Sequence, residues 1–137
     1  MKTLEWFASF PYENFEIVIP KSLIVKSTYV LEEGKSRLSP LLGLEAEFMD
    51  RAVERVFSTK IQKAAITELV IQGERKFLLL TGAVPQAQQI HYGEFRLFGG
   101  ALGEVLRGRG IIACRFLEHR IQYLVDIEKI MQTSEGK

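Results

Sequence analysis

The unbroken apolar run Phe77-Leu78-Leu79-Leu80 constrains the fold more than any other part of the chain. Alternate residues of a strand point to opposite faces, so a continuous apolar run puts apolar side chains on both. Such a strand has to lie inside a sheet that is covered above and below. The pattern from Thr59 to Gln72 is also that of a strand, and Gly73-Glu74-Arg75 supplies a tight turn. Lys76 to Thr81 is then the return limb, ended by Gly82 and Pro85.

Further strand signals lie on both sides of this hairpin. Phe15, Ile17 and Ile19 alternate with Glu16 and Val18. After the break at Pro20-Lys21-Ser22, Leu23 to Leu31 is rich in β-branched residues, and Glu32-Glu33-Gly34-Lys35-Ser36 has turn chemistry. Leu4 to Phe10 is apolar and aromatic as far as Pro11, which suits either a short helix or an edge segment. The strongest helix pattern starts at Ser39, a capping residue, with Pro40 at the first helical position. Leu41, Leu44, Phe48, Ala52 and Val56 recur at helical spacing, and Met49 and Val53 widen the stripe. Glu47, Asp50, Arg51, Glu54 and Arg55 fall largely on the other face. Gly43 weakens the first turn by about 1 kcal/mol relative to alanine.

Later in the chain, Gln86 to Gln89 is polar and His91-Tyr92-Gly93 reads as a connector. A short helix is expected over Ala101 to Arg107, amid several glycines, and a strand over Ile111 to Glu118. Ile121, Tyr123, Val125 and Ile127 alternate as a last strand, with a helix as the alternative there. These signals predict an α+β fold, a mostly antiparallel sheet with helices packed on one side.

The 137 residues fit a single domain over 1–131, followed by a flexible tail at 132–137 that has no apolar residue to bury. A net charge of +1 provides no global field for nucleic acid or acidic membrane, and nucleic acid is disfavoured as a partner. No apolar run approaches the roughly 18 residues that suggest a membrane span. The start, Met1-Lys2-Thr3-Leu4-Glu5-Trp6, does not resemble a signal peptide. The single cysteine, Cys114, follows Ile111-Ile112-Ala113, a setting for a buried, inert thiol. Together these features predict a cytoplasmic protein.

Candidate chemistry is sparse. One cysteine and two histidines, His91 and His119, do not make a metal site, and no cofactor is expected. No glycine-flanked nucleophilic serine is present. Phe98-Gly99-Gly100-Ala101-Leu102-Gly103-Glu104 lacks the lysine and hydroxyl of a nucleotide loop, so it reads as a tight turn into a helix, with amides that can face an anion. Arg107-Gly108-Arg109-Gly110 with Arg115, His119 and Arg120 is the densest basic region. Guanidinium forks hold carboxylates or phosphates bidentately; a solvated helix end is the plainer account. Asp126 and Glu128 share a face if the last segment is a strand, and Glu118 can join them from the neighbouring one. Paired acids of that kind suit acid–base work, although an outer strand face in water is the plainer account.

From Glu45 to Asp126 the order of segments resembles the chorismate lyase and UTRA superfamily. The resemblance rests on Glu68-Leu69-Val70-Ile71-Gln72-Gly73-Glu74, on Phe77 with Ala83-Val84-Pro85, and on Ala101-Leu102-Gly103-Glu104-Val105-Leu106 followed by Gly110-Ile111. It implies a chorismate lyase-like fold with Leu102 as a pocket residue and Asp126 as the acid. The chemistry it implies is cofactor-free release of pyruvate from chorismate. The sequence departs from the family at Lys76, where proline is common. It departs again at Ala65 or Thr67, where a substrate-gripping arginine is expected. Arg107, Arg109 or Arg115 would then have to hold the ligand's acidic groups.

Two functions follow from these readings. The first is a binding domain for a small anionic molecule, carboxylated or phosphorylated, built on Leu102, Arg107, Arg109 and Arg115, with Asp126 catalytic if a reaction occurs. The second is a non-catalytic, homo-oligomeric protein-interaction module, suggested by Trp6, Phe7, Phe10, Phe15, Tyr92 and Phe95, because aromatic residues anchor interfaces.

Overall fold

The computed structural model describes residues 4–30, 36–61 and 64–136, and the side chains of these up to residue 132. Strand β1 (Leu4–Pro11) leads to β2 (Phe15–Pro20), a 3-10 turn (Lys21–Leu23) and β3 (Ile24–Tyr29). Next come α1 (Ser39–Leu42), β4 (Ala46–Phe48), α2 (Met49–Phe57), β5 (Thr67–Gln72) and β6 (Lys76–Thr81). The chain ends with β7 (Gln86–His91), a second 3-10 turn (Tyr92–Glu94), β8 (Arg96–Leu97), α3 (Gly100–Gly108), β9 (Ile111–Phe116), β10 (Ile121–Val125) and α4 (Ile127–Gly136).

The strands form two sheets, each within its own compact unit. One unit combines the residues up to Ser22 with those from Pro85 onward; the other is Leu23–Val84. In the first unit the six strands run in the order β7-β1-β2-β10-β9-β8. The pairs are antiparallel except β2 with β10, which run parallel and join the N-terminal hairpin to the C-terminal strands. Phe7, Val18, Ile90, Ala113 and Leu124 form an apolar cluster, with Phe95 and Ile112 against it. β1 is therefore an interior strand, neither helix nor edge. The sequence calls for an interior position because Phe7, Ala8, Ser9 and Phe10 are all buried.

In the second unit the order is β3-β5-β6-β4. β5 and β6 make the expected hairpin, in register from Thr67↔Thr81 to Gln72↔Lys76. β6 lies between β5 and β4, and Phe77, Leu78, Leu79 and Leu80 are buried, as their apolar run requires. Glu68 is also fully buried. Its carboxylate accepts from the Ser36 hydroxyl and from the Arg37 and Leu38 amides at 3.0 and 3.3 Å, which fixes the approach to α1.

Several expectations are corrected here. The fold is sheet-rich, two separate sheets each with one parallel pair, and not a single antiparallel sheet with helices packed on one side. The helix expected from Ser39 to Val56 divides into α1, β4 and α2. Gly43 takes a left-handed φ of 68° and ends α1, a conformation that glycine adopts without steric cost. Ala46, Glu47 and Phe48 then pair in parallel with Leu78, Leu79 and Leu80, a long-range contact that overrides local helix preference. Leu41, expected in the core stripe, is exposed, whereas Met49, Ala52, Val53 and Val56 are buried as expected. The strand expected over Thr59–Gln72 forms only over Thr67–Gln72; Gln62 and Lys63, like the turn residues Glu32 to Lys35, lie outside the described residues. Gln86–His91, read as polar loop and connector, is strand β7. The last strand stops at Val125, so Asp126 and Glu128 do not share a strand face.

Candidate interaction surface

Between the second 3-10 turn and β9 the chain makes an excursion consisting of the short strand β8 and helix α3. β8 pairs with β9 through Arg96↔Cys114 and Leu97↔Ala113 and is the last strand of its sheet. The backbone just before α3 then packs closely against the first turn of the helix at Gly103. A Cβ on Gly103 would lie 2.3 Å from the Phe98 carbonyl oxygen and 2.7 Å from its carbon, so only glycine permits this close approach. The Gly103 amide donates to the Gly99 carbonyl at 3.0 Å. From the next turn Arg107 Nη1 donates to the Phe98 carbonyl at 3.1 Å.

Gly103 is the one buried residue of α3. Residues three and four apart share a helix face, so Ala101, Leu102 and Val105 form a stripe, and that stripe points away from Gly103 into solvent. Leu102 is 64% exposed and Val105 52%, and Leu97 on β8 is 75% exposed. An amphipathic helix in a folded protein normally turns its apolar stripe inward. Here the glycine side is inward and the stripe is outward. Arg96 and Arg109 are exposed in the same excursion, as is Arg107.

The expected ligand residues occupy different settings. Leu102 is on the exposed stripe. Arg107 is bonded to Phe98, and Arg109 sits at the C-terminal cap of α3. Arg115, on β9, is turned into the sheet. Its Nε donates to Glu94 Oε1 at 2.9 Å and its Nη1 to Gln122 Oε1 at 2.6 Å. That hydrogen bond from Arg115, ahead of the cost of desolvation, holds the Glu94 carboxyl below the usual carboxylate range. Asp126 stands one residue before α4, where its Oδ1 accepts from the Lys129 amide at 3.2 Å, the geometry of a helix N-cap. Among the described residues the three arginines share no bonding partner.

Arg115 belongs to a polar network that the sequence did not reveal. Gln122, on β10, is fully buried; its Nε2 donates to Glu16 Oε1 at 2.8 Å and to Gln88 Oε1 at 2.9 Å. Glu16 also accepts from the Ser9 hydroxyl at 2.9 Å and from Arg120 Nη1 at 3.0 Å. Every polar atom of the Gln122 side chain is thus engaged, as in a structural lock. The only hint in the sequence is a glutamine within an otherwise apolar strand.

Other reactive groups are quiet. Cys114 is buried, and burial pushes its thiol up against the opposing charge of Arg96. His119 is exposed and lies 4.0 Å from Glu118. Among the described residues no group of three or more histidine, cysteine, aspartate or glutamate side chains is placed to hold a metal ion. No described helix is long and apolar enough to cross a membrane. Of the aromatics expected at an interface, Phe7 and Phe10 are buried in the core and Phe15 and Phe95 half-buried; Trp6 and Tyr92 are exposed.

No protein-family model matches the chain, and no curated protein does. Among solved structures, the crystal structure of the scaffolding protein TtCheW from Thermoanaerobacter tengcongensis superposes with a TM-score of 0.62. The match covers 90% of this chain and 85% of that one at 7% sequence identity. The chain has the fold of TtCheW. That likeness overturns the resemblance to chorismate lyase and UTRA. The hairpin and the short helix that carried the resemblance are present, but they belong to different sheet units. The reading as a binding domain or lyase for a small anionic molecule falls with it.

Proposed function

We propose that this chain is a non-catalytic protein-interaction module that acts in the cytoplasm and presents the α3 excursion to a protein partner. The observation that carries the reading is the outward apolar stripe of α3, with Leu102 and Val105 exposed, together with the exposed Leu97 on the preceding strand β8. Apolar residues gathered on a surface are the usual core of a protein contact, and charged residues form its rim. Arg96, Arg107 and Arg109 supply a basic rim here, so the partner surface is apolar and bordered by carboxylates. The fold shared with a scaffolding protein supports this choice over an enzyme, as does a cysteine that is buried and poorly ionised.

The test is a pull-down with the wild-type chain and with a Leu102→Asp/Val105→Asp double variant. It is followed by titration of any retrieved protein in purified form. The reading expects a partner that binds the wild type and is lost with the double variant. Equal retrieval by both, or none by a folded wild type, defeats it.

A further inference from the structure

The four sheet edges are not equally protected. β4 is three residues long and β8 two, and β8 carries Arg96. β3 is six residues long but has Lys26 and a register shift between Ile24 and Lys26. Short length, charge and bulges are the devices that keep a sheet edge from recruiting another strand. β7 has none of them. It runs six residues, Gln86-Ala87-Gln88-Gln89-Ile90-His91, with no acid, lysine, arginine or proline. Its register with β1 is unbroken from Ser9↔Gln86 to Leu4↔His91. Among the described residues no strand pairs with its other edge.

We propose that β7 pairs antiparallel with β7 of a second copy of this chain, about a two-fold axis at Gln89, making one continuous sheet across the dimer. A strand that pairs with itself has to be self-complementary. Glutamine meets that condition because its amide both donates and accepts, so Gln89 can bond to its own mate with no charge to repel it. The neighbouring strand adds an anchor on the same face. Trp6 of β1 is the direct partner of Gln89, and it is 52% exposed, as is much of Leu4 opposite His91. Strands are spaced about 4.8 Å apart, so the axis brings the two Trp6 side chains onto one face with only the glutamine pair between their strands. A second copy is favoured over a foreign strand because every feature that fits the edge is already present on the edge itself. The proposal is independent of the α3 surface.

Sedimentation equilibrium over a concentration series, read together with the emission of Trp6, the one tryptophan, tests it. The wild type is expected to dimerise, with Trp6 emission shifting to the red on dilution. Gln89→Lys opposes two like charges across the axis and is expected to weaken dimerisation by up to about fivefold, with the thermal stability of the dilute, monomeric protein unchanged. Under oxidation Gln89→Cys is expected to form a covalent dimer that the wild type, with Cys114 buried, does not form. Leu102→Asp/Val105→Asp is expected to leave the dimer intact, which separates this proposal from the α3 reading. A wild type that stays monomeric at every concentration overturns the inference. So does a dimer indifferent to Gln89→Lys, a Gln89→Cys chain that fails to cross-link, or an edge taken up by a strand from another protein.

Discussion

Gln122 on β10 donates from Nε2 to Gln88 Oε1 on β7 at 2.9 Å, although β2 and β1 lie between these strands in the sheet. A side-chain bond that spans two intervening strands requires the sheet to curl toward itself, so Gln122 fixes curvature as well as local packing. Replacing it by leucine preserves volume but leaves Gln88, Glu16 and Arg115 each short of a partner. Gln122→Leu is expected to cost about 1–3 kcal/mol, the range for stranding buried polar groups. Urea unfolding checks this: the midpoint falls while the slope holds.

Glu16 makes the same network sensitive to acid. Burial raises its pKa, but hydrogen bonds from Gln122, Ser9 and Arg120, together with the Arg120 charge, outweigh that effect and hold it below the usual carboxylate range. A carboxyl depressed in the folded state binds its proton more readily when unfolded. Its contribution is therefore complete above the unfolded value and is lost as pH falls through the folded one. The stability difference between wild type and Glu16→Gln is expected to be constant near neutrality and to shrink as pH falls below about 4.3, the ordinary value for a glutamate carboxyl. Unfolding free energies for both proteins across that range decide the matter; a difference that grows on acidification contradicts the assignment.

Two glycines of α3 should respond in opposite directions. At Gly103 an added methyl meets the Phe98 carbonyl, a backbone group with little room to retreat. Gly103→Ala is expected to destabilise by about 1–3 kcal/mol, the usual cost of overpacking. A methyl added at Gly108 would meet nothing within 4 Å, and the backbone there has an ordinary φ. Gly108→Ala is therefore expected to stabilise by about 0.4–1 kcal/mol. Thermal melts of the two variants should move apart on either side of the wild type.

The hairpin of β5 and β6 was legible because its information is local: the Phe77–Leu80 run and the Gly73 turn specify it without reference to the rest of the chain. The break between α1 and α2 was not, since β4 exists only by pairing with β6, far later in the chain. β7 is hard to see in the sequence because glutamine marks neither the polar nor the apolar phase of a strand, and its alternation becomes clear only once Ile90 is placed in the core. Helix α3 was legible as a short helix amid glycines, but the side it buries depends on the close approach of the Phe98 backbone to Gly103. Nothing local in the sequence pairs Arg115, and only proximity along the chain groups it with Arg107 and Arg109. Its partners, Glu94 and Gln122, stand 21 and 7 positions away, and strand pairing alone brings them together.

Asp126 gives the clearest separation between a structural and a chemical role. Its backbone amide donates to the Gly110 carbonyl at 2.8 Å, its carbonyl accepts from the Ile130 amide at 3.0 Å, and its carboxylate caps the start of α4. A cap needs an oxygen acceptor at that point, and asparagine and serine supply one as well as aspartate does. Asp126→Asn and Asp126→Ser are therefore expected to retain most of the wild-type stability. Asp126→Ala is expected to lose about 0.5–2 kcal/mol, the range for an abolished cap. Urea denaturation of the three variants gives the ranking. If asparagine were as damaging as alanine, the negative charge at Asp126, and not its acceptor oxygen, would be what α4 requires.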